Sequence, residues 1–259
     1  TMYLEGAADG RLLVETLKRV TSDKPVLVLK SGRTPVGRAA TASHTGSLSG
    51  EDGLYEGMFA QTGVTRAKSL NELVELAQVF STQPRPRGNR FAIVTGSGSM
   101  GALAADTAID AGLAVPPLSK ATAAKAKAGA PVWMNVSNPL DVGPSQQFPL
   151  AFNALMEDPD INMVLAVIAT PYAVMRFINP EEFLSGRYFG DLAGVKKQAQ
   201  DKPCLICVVS HNKMVEIISK EAEPEIPIFT SPEAATRALA ALWRYQRWLK
   251  REIQITGEE

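Results

Sequence analysis

Short apolar runs alternate with helix-like segments along most of the chain, and this alternation constrains the fold more than any other feature. The strand-like runs are Pro25–Leu29, Phe91–Thr95, Met163–Ala169 and Cys204–Val209. Between them, apolar residues recur at the three- and four-residue spacing of helices, as they do over Leu70–Phe80. Strands that are apolar on both faces are typical of parallel sheets with helices on each side. The sequence therefore predicts an α/β protein.

A linker divides this alternation into two parts. Gln83–Asn89 reads Gln-Pro-Arg-Pro-Arg-Gly-Asn, which is typical of a connecting segment. We predict a first domain over residues 1–83, a linker over 84–89 and a second domain over 90–259 that ends in a long helix. Both domains are expected to be flavodoxin-like open parallel sheets rather than barrels. The chain opens on a strand-like run, as expected for a fragment, a cleaved product or one subunit of something larger.

Charge and hydropathy argue against two classes of function. The 27 Lys and Arg residues balance the 27 Asp and Glu residues, whereas nucleic-acid and membrane-surface binding normally need a basic excess. No apolar run approaches the roughly 18 residues of a membrane-spanning helix, and the N-terminus lacks the pattern of a signal peptide. We therefore expect no nucleic-acid or membrane partner and a cytoplasmic location.

The two cysteines, Cys204 and Cys207, form a C-x-x-C pattern. Such a pair can be a redox centre or half of a metal site. Here both lie in one strand-like run, where residues three apart point to opposite faces of the sheet, and no second C-x-x-C exists. The sequence therefore predicts buried, inert thiols in a reducing compartment and no metal site.

A stretch of small and hydroxyl-bearing residues, Thr41–Gly50, carries the chemistry of the first domain. His44 is the only histidine in the first 210 residues. Small residues let a polyanion approach the backbone, and the helix predicted from Glu51 offers N-terminal amides to an anion. A histidine beside a bound phosphate can act as a nucleophile or a base. From the residues alone, an exposed histidine in a flexible loop is an equally good interpretation.

A second glycine-rich turn, Gly96–Gly101, follows a predicted strand and precedes a helix. It matches the G-x-G-x-x-G pattern of dinucleotide sites. The next short strand-like run, Leu113–Pro117, lacks the acidic residue that such sites use, so a helix N-terminus that binds a bare phosphate is the better interpretation. The candidate phosphate-binding residues of this turn are Gly96, Ser97, Gly98, Ser99 and Gly101.

Three motifs together resemble a known family. Ser43–Ser47 reads Ser-His-Thr-Gly-Ser, Lys30–Arg33 reads Lys-Ser-Gly-Arg, and Tyr3–Gly6 reads Tyr-Leu-Glu-Gly. This combination resembles the ADP-forming acetyl-CoA synthetases, which belong to the succinyl-CoA synthetase superfamily. The resemblance runs from Met2 to about Trp248 and implies two succinyl-CoA synthetase-type, flavodoxin-like domains.

The resemblance implies that His44 becomes phosphorylated. In that family the histidine of this motif lies on a mobile loop, and the glutamate after the preceding strand, here Glu5, orients the imidazole. The small residues of Ser31–Ser49 have the composition that such a movement needs. The N-termini of two helices, one from each domain, would bind the phosphoryl group. The implied phosphate-binding residues of the first domain are Ser43, Thr45, Gly46, Ser47 and Gly50.

The implied reaction converts an acyl-CoA, ADP and phosphate into a carboxylic acid, ATP and CoA. No permanent cofactor is implied, because CoA, ADP or ATP, and Mg would be substrates held by other domains. The implied partners are a CoA-binding domain and an ATP-grasp domain or subunit, in an oligomer, with a small carboxylic acid and phosphate as ligands. The acyl group and the choice between ADP and GDP stay open.

Two further segments in the second domain receive weaker interpretations. The turn after the strongest strand contains Thr170 and Tyr172, which are candidates for an acyl pocket because strand ends carry sites in such sheets. The segment Ser137–Asp141 also resembles a family segment. We interpret it as structural, with an Asn-Pro turn and an aspartate that caps backbone amides.

Two other functions compete with catalysis. The chain could be a non-catalytic module that senses CoA or an acyl phosphate and regulates a fused or partner acyltransferase. Regulatory relatives of that kind commonly lack the histidine, so His44 favours catalysis. The chain could also be an assembly scaffold that docks a partner on its C-terminal helix, although the apolar face of that helix, with Leu239, Leu242, Trp243 and Trp248, is expected to cover its own core.

Overall fold

The computed structural model describes residues 1–45, 50–130, 132, 134, 136–143, 147–170, 197, 201–222 and 226–256. The chain divides into two compact units, which are residues 1–80 with 244–259, and residues 81–243. Each unit contains a parallel sheet with helices, which confirms the predicted fold class. The sequence also predicts a helix over residues 192–200, and these lie outside the described residues except at position 197.

The first unit is built on a three-stranded parallel sheet of order β1-β2-β3. The strands are β1 (Met2–Leu4), β2 (Leu27–Lys30) and β3 (Thr65–Ala67). The helices of this part are α1 (Gly10–Asp23), α2 (Pro35–Thr45), α3 (Asp52–Thr62) and α4 (Leu70–Thr82). A small core forms where α1 and α3 pack on the sheet, and it contains Leu17, Val28, Phe59 and Val64.

Helix α2 is a difference from the prediction for this unit. The sequence predicts an irregular, mobile stretch over Ser31–Ser49, but Pro35–Thr45 is helical. Thr34 explains where the helix begins: its hydroxyl oxygen accepts the N–H of Gly37 (3.1 Å) and its carbonyl oxygen accepts the N–H of Arg38 (2.8 Å). A threonine cap followed by proline is a strong helix start, and the alanines that follow favour the helix.

The second unit is built on a five-stranded parallel sheet of order β5-β4-β6-β7-β8. The strands are β4 (Phe91–Thr95), β5 (Leu140–Asp141), β6 (Met163–Ala169), β7 (Cys204–Val209) and β8 (Ile228–Phe229). The described helices that follow are α5 (Gly98–Asp110), α6 (Lys120–Lys127), α7 (Phe148–Glu157), α8 (Asn212–Ala222) and α9 (Pro232–Thr256). Strand β4 is wholly buried, as expected for a central strand under helices.

The predicted strand over Leu113–Pro117 is reduced to a single bridge between Arg90 and Ala114. Two of its residues are prolines, which have no N–H to donate to a sheet ladder. Strand β5 was not predicted, because two residues carry no periodicity that could distinguish a strand from a loop. No helix in the described part of the chain is both long and apolar enough to cross a membrane.

Helix α9 contributes to both units. The prediction assigns the whole helix to the second domain, whereas its residues from Arg244 onward belong to the first compact unit. There the Tyr245 hydroxyl donates to the carbonyl oxygen of Thr21 (2.9 Å), and the Trp248 indole N–H donates to that of Gln61 (3.1 Å). These hydrogen bonds span 224 and 187 residues. An apolar helix face predicts burial but does not specify the core against which it packs.

Cys204 and Cys207 are buried in β7, and neither forms a disulfide. Cys204 belongs to the core cluster that contains Val164 and Ile206, whereas Cys207 points to the opposite face of the strand. Burial raises the pKa of the Cys207 thiol to about 12, with a smaller contribution from Glu233. The predicted burial of both thiols is therefore confirmed.

Candidate functional site

The carboxyl ends of β1 and β2 meet at one edge of the first sheet. Glu5 follows β1 directly and is half-buried, and Lys30 is the last residue of β2 and is 3% exposed. The strand register pairs Leu4 with Lys30, and the Ser31 N–H donates to the carbonyl oxygen of Leu4 (3.0 Å). This edge is where open α/β sheets carry their sites, and it contains the predicted site residue Glu5.

The ammonium group of Lys30 is buried at this edge. It donates a hydrogen bond to the carbonyl oxygen of Ser31 and lies 4.6 Å from the centre of the Tyr55 ring. Burial lowers the pKa of Lys30 below its ordinary value. The negative charges of Asp52 and Glu5 raise this pKa, but they do not offset the effect of burial. Lys30 belongs to the Lys-Ser-Gly-Arg motif but was not predicted to be a site residue. A lysine that ends a wholly apolar strand was the signal that could have found it.

Helix α3 brings its first turn to the same region. Asp52, the first residue of α3, accepts a hydrogen bond from the Arg66 guanidinium, which also donates to Glu56 (2.6 Å). Gly50 lies just before the helix with φ of 58°, and a Cβ at this position would lie 3.2 Å from the Tyr55 ring. Backbone conformation and close approach therefore both favour glycine here.

His44 lies in the last turn of α2, so its backbone is helical rather than part of a loop. The hydroxyl of Ser43 donates to the carbonyl oxygen of Ala40 (2.8 Å), a bond within its own helix. The same is true of Thr41, which donates to Gly37 (2.9 Å). Other predicted features lie outside the described part of the structure: the imidazole of His44, the side chain of Thr45, and residues Gly46 and Ser47.

The Gly96–Gly101 turn joins β4 to α5 in the second unit, as predicted. Thr95 organises the turn, because its hydroxyl accepts the N–H of Ser97 (3.0 Å) and donates to the carbonyl oxygen of the same residue (2.8 Å). The Ser97 hydroxyl is 3.1 Å from that of Ser99 and makes no capping bond to the described amides of α5. The first turn of α5 is therefore not capped by its own N-cap side chain.

Glycines let a carboxylate approach the start of α5. A Cβ on Gly98 would lie 2.8 Å from Oδ2 of Asp141, and one on Gly101 would lie 2.9 Å from Cγ2 of Thr95. The other oxygen of Asp141 accepts the N–H of Gly143 (2.9 Å), which confirms the predicted capping role. Its position beside the candidate phosphate turn was not predicted, because it depends on the pairing of β5 with β4. A carboxylate there stabilises the positive end of α5.

Asn138 performs a structural role in the preceding turn. Its side-chain amide donates to the carbonyl oxygens of Phe91 (2.8 Å) and Pro116 (3.0 Å), and its oxygen accepts the N–H of Ile93 (3.1 Å). These bonds connect the turn to the central strand β4. The structural interpretation of the Ser137–Asp141 segment is therefore confirmed.

Thr170 follows β6 at the carboxyl edge of the second sheet. It is 6% exposed, and its N–H donates to the carbonyl oxygen of Val209 (3.1 Å). Its hydroxyl has no hydrogen-bond partner among the described residues, which is unusual for a buried polar group. Tyr172, the other candidate for the acyl pocket, lies outside the described residues.

Comparison with known proteins shows what the chain is similar to. Residues 1–80 match the model of the succinyl-CoA ligase-like flavodoxin domain. The chain is 34% identical, over 247 residues, to the alpha subunit of the ADP-forming acetate–CoA ligase II of Pyrococcus furiosus, an alignment that covers 93% of this chain and 52% of that subunit. Over most of its length the chain is therefore similar to part of an ADP-forming acetate–CoA ligase subunit. The motif resemblance is thereby confirmed.

Further synthetases match along nearly the whole chain. The ADP-forming acetate–CoA ligase II of Archaeoglobus fulgidus is 32% identical over 261 residues, which covers 98% of this chain and 36% of that protein. A dinucleotide-forming acetyl-coenzyme A synthetase of Ca. Korarchaeum cryptofilum, solved with phosphate and ADP, superposes with a TM-score of 0.85 at 28% identity and covers 98% of this chain and 54% of its own. The chain therefore spans about half the length, or less, of these synthetases.

Proposed function

We propose that this chain carries the phosphohistidine of an ADP-forming acyl-CoA synthetase and that His44 is the phosphorylated residue. The similarity to proteins named ADP-forming acetate–CoA ligases, which extends over 93% and 98% of the chain, is the observation that carries the proposal. The structural neighbour was solved with phosphate and ADP, which are two reactants of the proposed reaction.

Three transfers make up the proposed reaction. A phosphate oxygen attacks the thioester carbonyl of an acyl-CoA, the C–S bond breaks, and CoA leaves and takes up a proton. A ring nitrogen of His44 then attacks the phosphorus of the acyl phosphate, the P–O bond breaks, and the carboxylate leaves with the bonding pair. An ADP oxygen finally attacks the phosphohistidine, which gives ATP and frees the imidazole. Positioning and electrostatic stabilisation dominate such transfers.

We assign Glu5 the orienting role. It lies at the carboxyl end of β1, and the neighbouring strand β2 leads into α2, the helix whose last turn contains His44. A carboxylate that accepts the N–H of one ring nitrogen fixes the tautomer and leaves the other nitrogen free to attack phosphorus. In this proposal Glu5 holds the imidazole and stabilises its charge without forming a bond to phosphorus.

We assign phosphate binding to the starts of α3 and α5, each within its own unit. Gly50 precedes α3, and Gly96–Gly101 contains the start of α5. In both helices the N-cap residue makes no side-chain hydrogen bond to the described amides of the first turn. Such amides, together with the helix dipole, favour an anion. Asp141 already lies at the start of α5, so the orientation of that carboxylate would tune the affinity for phosphate.

The acid substrate in this proposal is a small carboxylic acid. The buried hydroxyl of Thr170, which no described residue satisfies, is the group we assign to its pocket. We assign CoA and nucleotide binding to a CoA-binding domain and an ATP-grasp domain or subunit, assembled with this chain in an oligomer. No group of three or more His, Cys, Asp or Glu residues in the described ranges could hold a metal ion, and Mg would act with the nucleotide.

ATP formation tests the proposal. The complete enzyme, assembled with its CoA- and nucleotide-binding partners, is supplied with a panel of small acyl-CoAs that includes acetyl-CoA, together with ADP or GDP, Mg and phosphate. We expect wild-type enzyme to release ATP and His44→Ala to lose this activity by about 1000-fold or more. His211→Ala is the matched control, because His211 is the only other histidine and is exposed. Full activity of His44→Ala, or no ATP from wild-type enzyme, would contradict the proposal, and the second result would favour a regulatory module.

A further inference from the structure

We propose that Lys30 is a positioning residue for the phosphohistidine, because its buried ammonium group joins the two ends of the segment that contains His44. This inference rests on the proposed function of His44 and extends it to a residue with no assigned role. Lys30 does not act on the phosphorus in this account. It fixes the frame within which the histidine is presented.

The contacts of Lys30 lie at both ends of that segment. At one end, the ammonium group donates to the carbonyl oxygen of Ser31, the first residue after β2. At the other end, it lies over the ring of Tyr55, at 4.6 Å from the ring centre. A Cβ added to Gly50 would lie only 3.2 Å from that same ring, so Tyr55 packs directly against Gly50. One charged side chain therefore connects the residues that enter and leave the segment.

Lys30 also lies at the same sheet edge as the residue that we assign to orient the imidazole. Leu4 is the register partner of Lys30, so Glu5 emerges beside it at the same sheet edge. The charged groups that act on Lys30 come from four elements of the first unit: Asp52 at the start of α3, Arg66 in β3, Glu5 after β1 and Arg38 in α2. Lys30 is therefore a buried cation at the sheet edge, within electrostatic reach of charged groups on α2, α3 and β3 and after β1.

The burial of Lys30 makes a purely structural role a poor explanation. A lysine that is 3% exposed has given up most of its hydration, and burial lowers its pKa despite Asp52 and Glu5. A methionine of similar length would fill the same space without that cost, so packing alone does not account for a charge at this position. We therefore expect the charge of Lys30 to lower the stability of the fold and to raise the rate of phosphorylation, a trade-off that is common at active sites.

The test compares charge-removing and charge-keeping variants of Lys30 in the complete enzyme. The rate of phosphohistidine formation from Mg-ATP is followed by rapid quenching, and thermal unfolding is measured on the same samples. We expect Lys30→Met to slow phosphorylation by about tenfold or more, with a melting temperature equal to or above wild type. Lys30→Arg is expected to recover most of the rate. Lys24→Met, at an exposed lysine of the same unit, should match wild type.

Lys30→Gln provides a second charge-free variant if Lys30→Met does not fold, because it keeps a hydrogen-bond donor for Ser31. A charge-free variant that is phosphorylated at the wild-type rate would overturn the inference alone. A slow variant whose melting temperature falls in parallel, and which arginine does not rescue, would show a structural role and also overturn it. Wild-type enzyme without phosphohistidine would overturn the proposed function, and this inference with it.

Discussion

At the scale of single residues, charges of both signs gather around the carboxyl edge of the first sheet. Lys30 is buried there, Glu5 is half-buried beside it, and Asp52 is held by Arg66. In a region of low dielectric constant each of these charges influences its neighbours more strongly than it would in water. Loss of one charge is therefore expected to alter the chemistry of the edge more than the stability of the fold.

Substitution of Glu5 tests the orienting role directly. Glu5→Gln keeps the size of the side chain but removes its charge, so the imidazole loses the carboxylate that fixes its tautomer. We expect phosphorylation of His44 to slow by about 10- to 100-fold, as measured by rapid quenching with Mg-ATP. Glu15→Gln, at an exposed position of α1, is the control. If His44 in the Glu5→Gln variant were phosphorylated at a rate within twofold of wild type, Glu5 would have no orienting role.

Cys207 makes stability depend on alkaline pH. Its pKa of about 12 in the folded protein exceeds the ordinary value of 9.0, so the folded state favours the neutral thiol. The resulting stability is fully present below pH 9 and is lost as the pH rises toward 12. Between pH 8 and pH 10 the free energy of unfolding of wild type should fall by about 1 kcal/mol relative to Cys207→Ala. Urea titrations of both proteins at both pH values measure this difference. If wild type and Cys207→Ala differed in free energy of unfolding by the same amount at pH 8 and pH 10, burial of the thiol would be contradicted.

At the scale of elements, Gly63 shows how a local signal and a distant contact act on one residue. A glycine after an apolar helical run predicts a helix end, and Gly63 ends α3 with φ of 69°. The contact was not predictable: a Cβ at Gly63 would lie 2.2 Å from the ring of Trp248, on the last helix of the chain.

A pair of glycine variants in α3 tests both effects. We expect Gly63→Ala to lower the free energy of unfolding by about 2–4 kcal/mol, because the left-handed backbone and the Trp248 ring both oppose a side chain. Gly57→Ala is the control, because Gly57 lies within the helix and a Cβ added there would meet nothing within 4 Å. This substitution should raise the free energy of unfolding by about 0.5–1 kcal/mol. Chemical denaturation of both variants is the measurement. If the two substitutions changed the free energy of unfolding by similar amounts, the left-handed helix end at Gly63 and its contact with Trp248 would be contradicted.

The elements also show why some of the site was predictable and some was not. Motifs of adjacent residues located Glu5, the segment with His44 and the Gly96–Gly101 turn. Helix α2 was missed although its threonine cap and proline are visible in the sequence, because small residues were interpreted as mobility. The positions of Lys30 and Asp141 beside these motifs depend on strand order, which periodicity does not reveal. The candidate site could thus be predicted only where its residues are neighbours in the sequence.

At the scale of the whole molecule, the alternation of strands and helices predicted two α/β units but not their exact composition. The compact first unit includes residues 244–259, because Tyr245 and Trp248 form hydrogen bonds and aromatic contacts there. A C-terminal helix that completes an N-terminal unit makes the two ends of the chain interdependent. Sequence distance gives no indication of such a contact.

Truncation tests this interdependence. A chain that ends at Trp243 lacks the part of α9 that packs in the first unit, and loss of one large buried aromatic residue typically costs about 3–5 kcal/mol. We expect limited proteolysis to cut residues 1–80 at least tenfold faster in this chain than in one that ends at Thr256 and keeps α9 whole. Mass spectrometry of the fragments identifies the cut sites. Equal cleavage of residues 1–80 in the two chains would contradict the composition of the first unit.

The central claim is that His44 carries a phosphoryl group during turnover. Intact-mass analysis of the complete enzyme after incubation with Mg-ATP, followed by mapping of the modified residue at alkaline pH, measures this directly. We predict a gain of one acid-labile phosphoryl group on His44, which persists in His211→Ala and is absent in His44→Ala. No gain in an enzyme that binds nucleotide, or a phosphoryl group on another residue, would contradict the account.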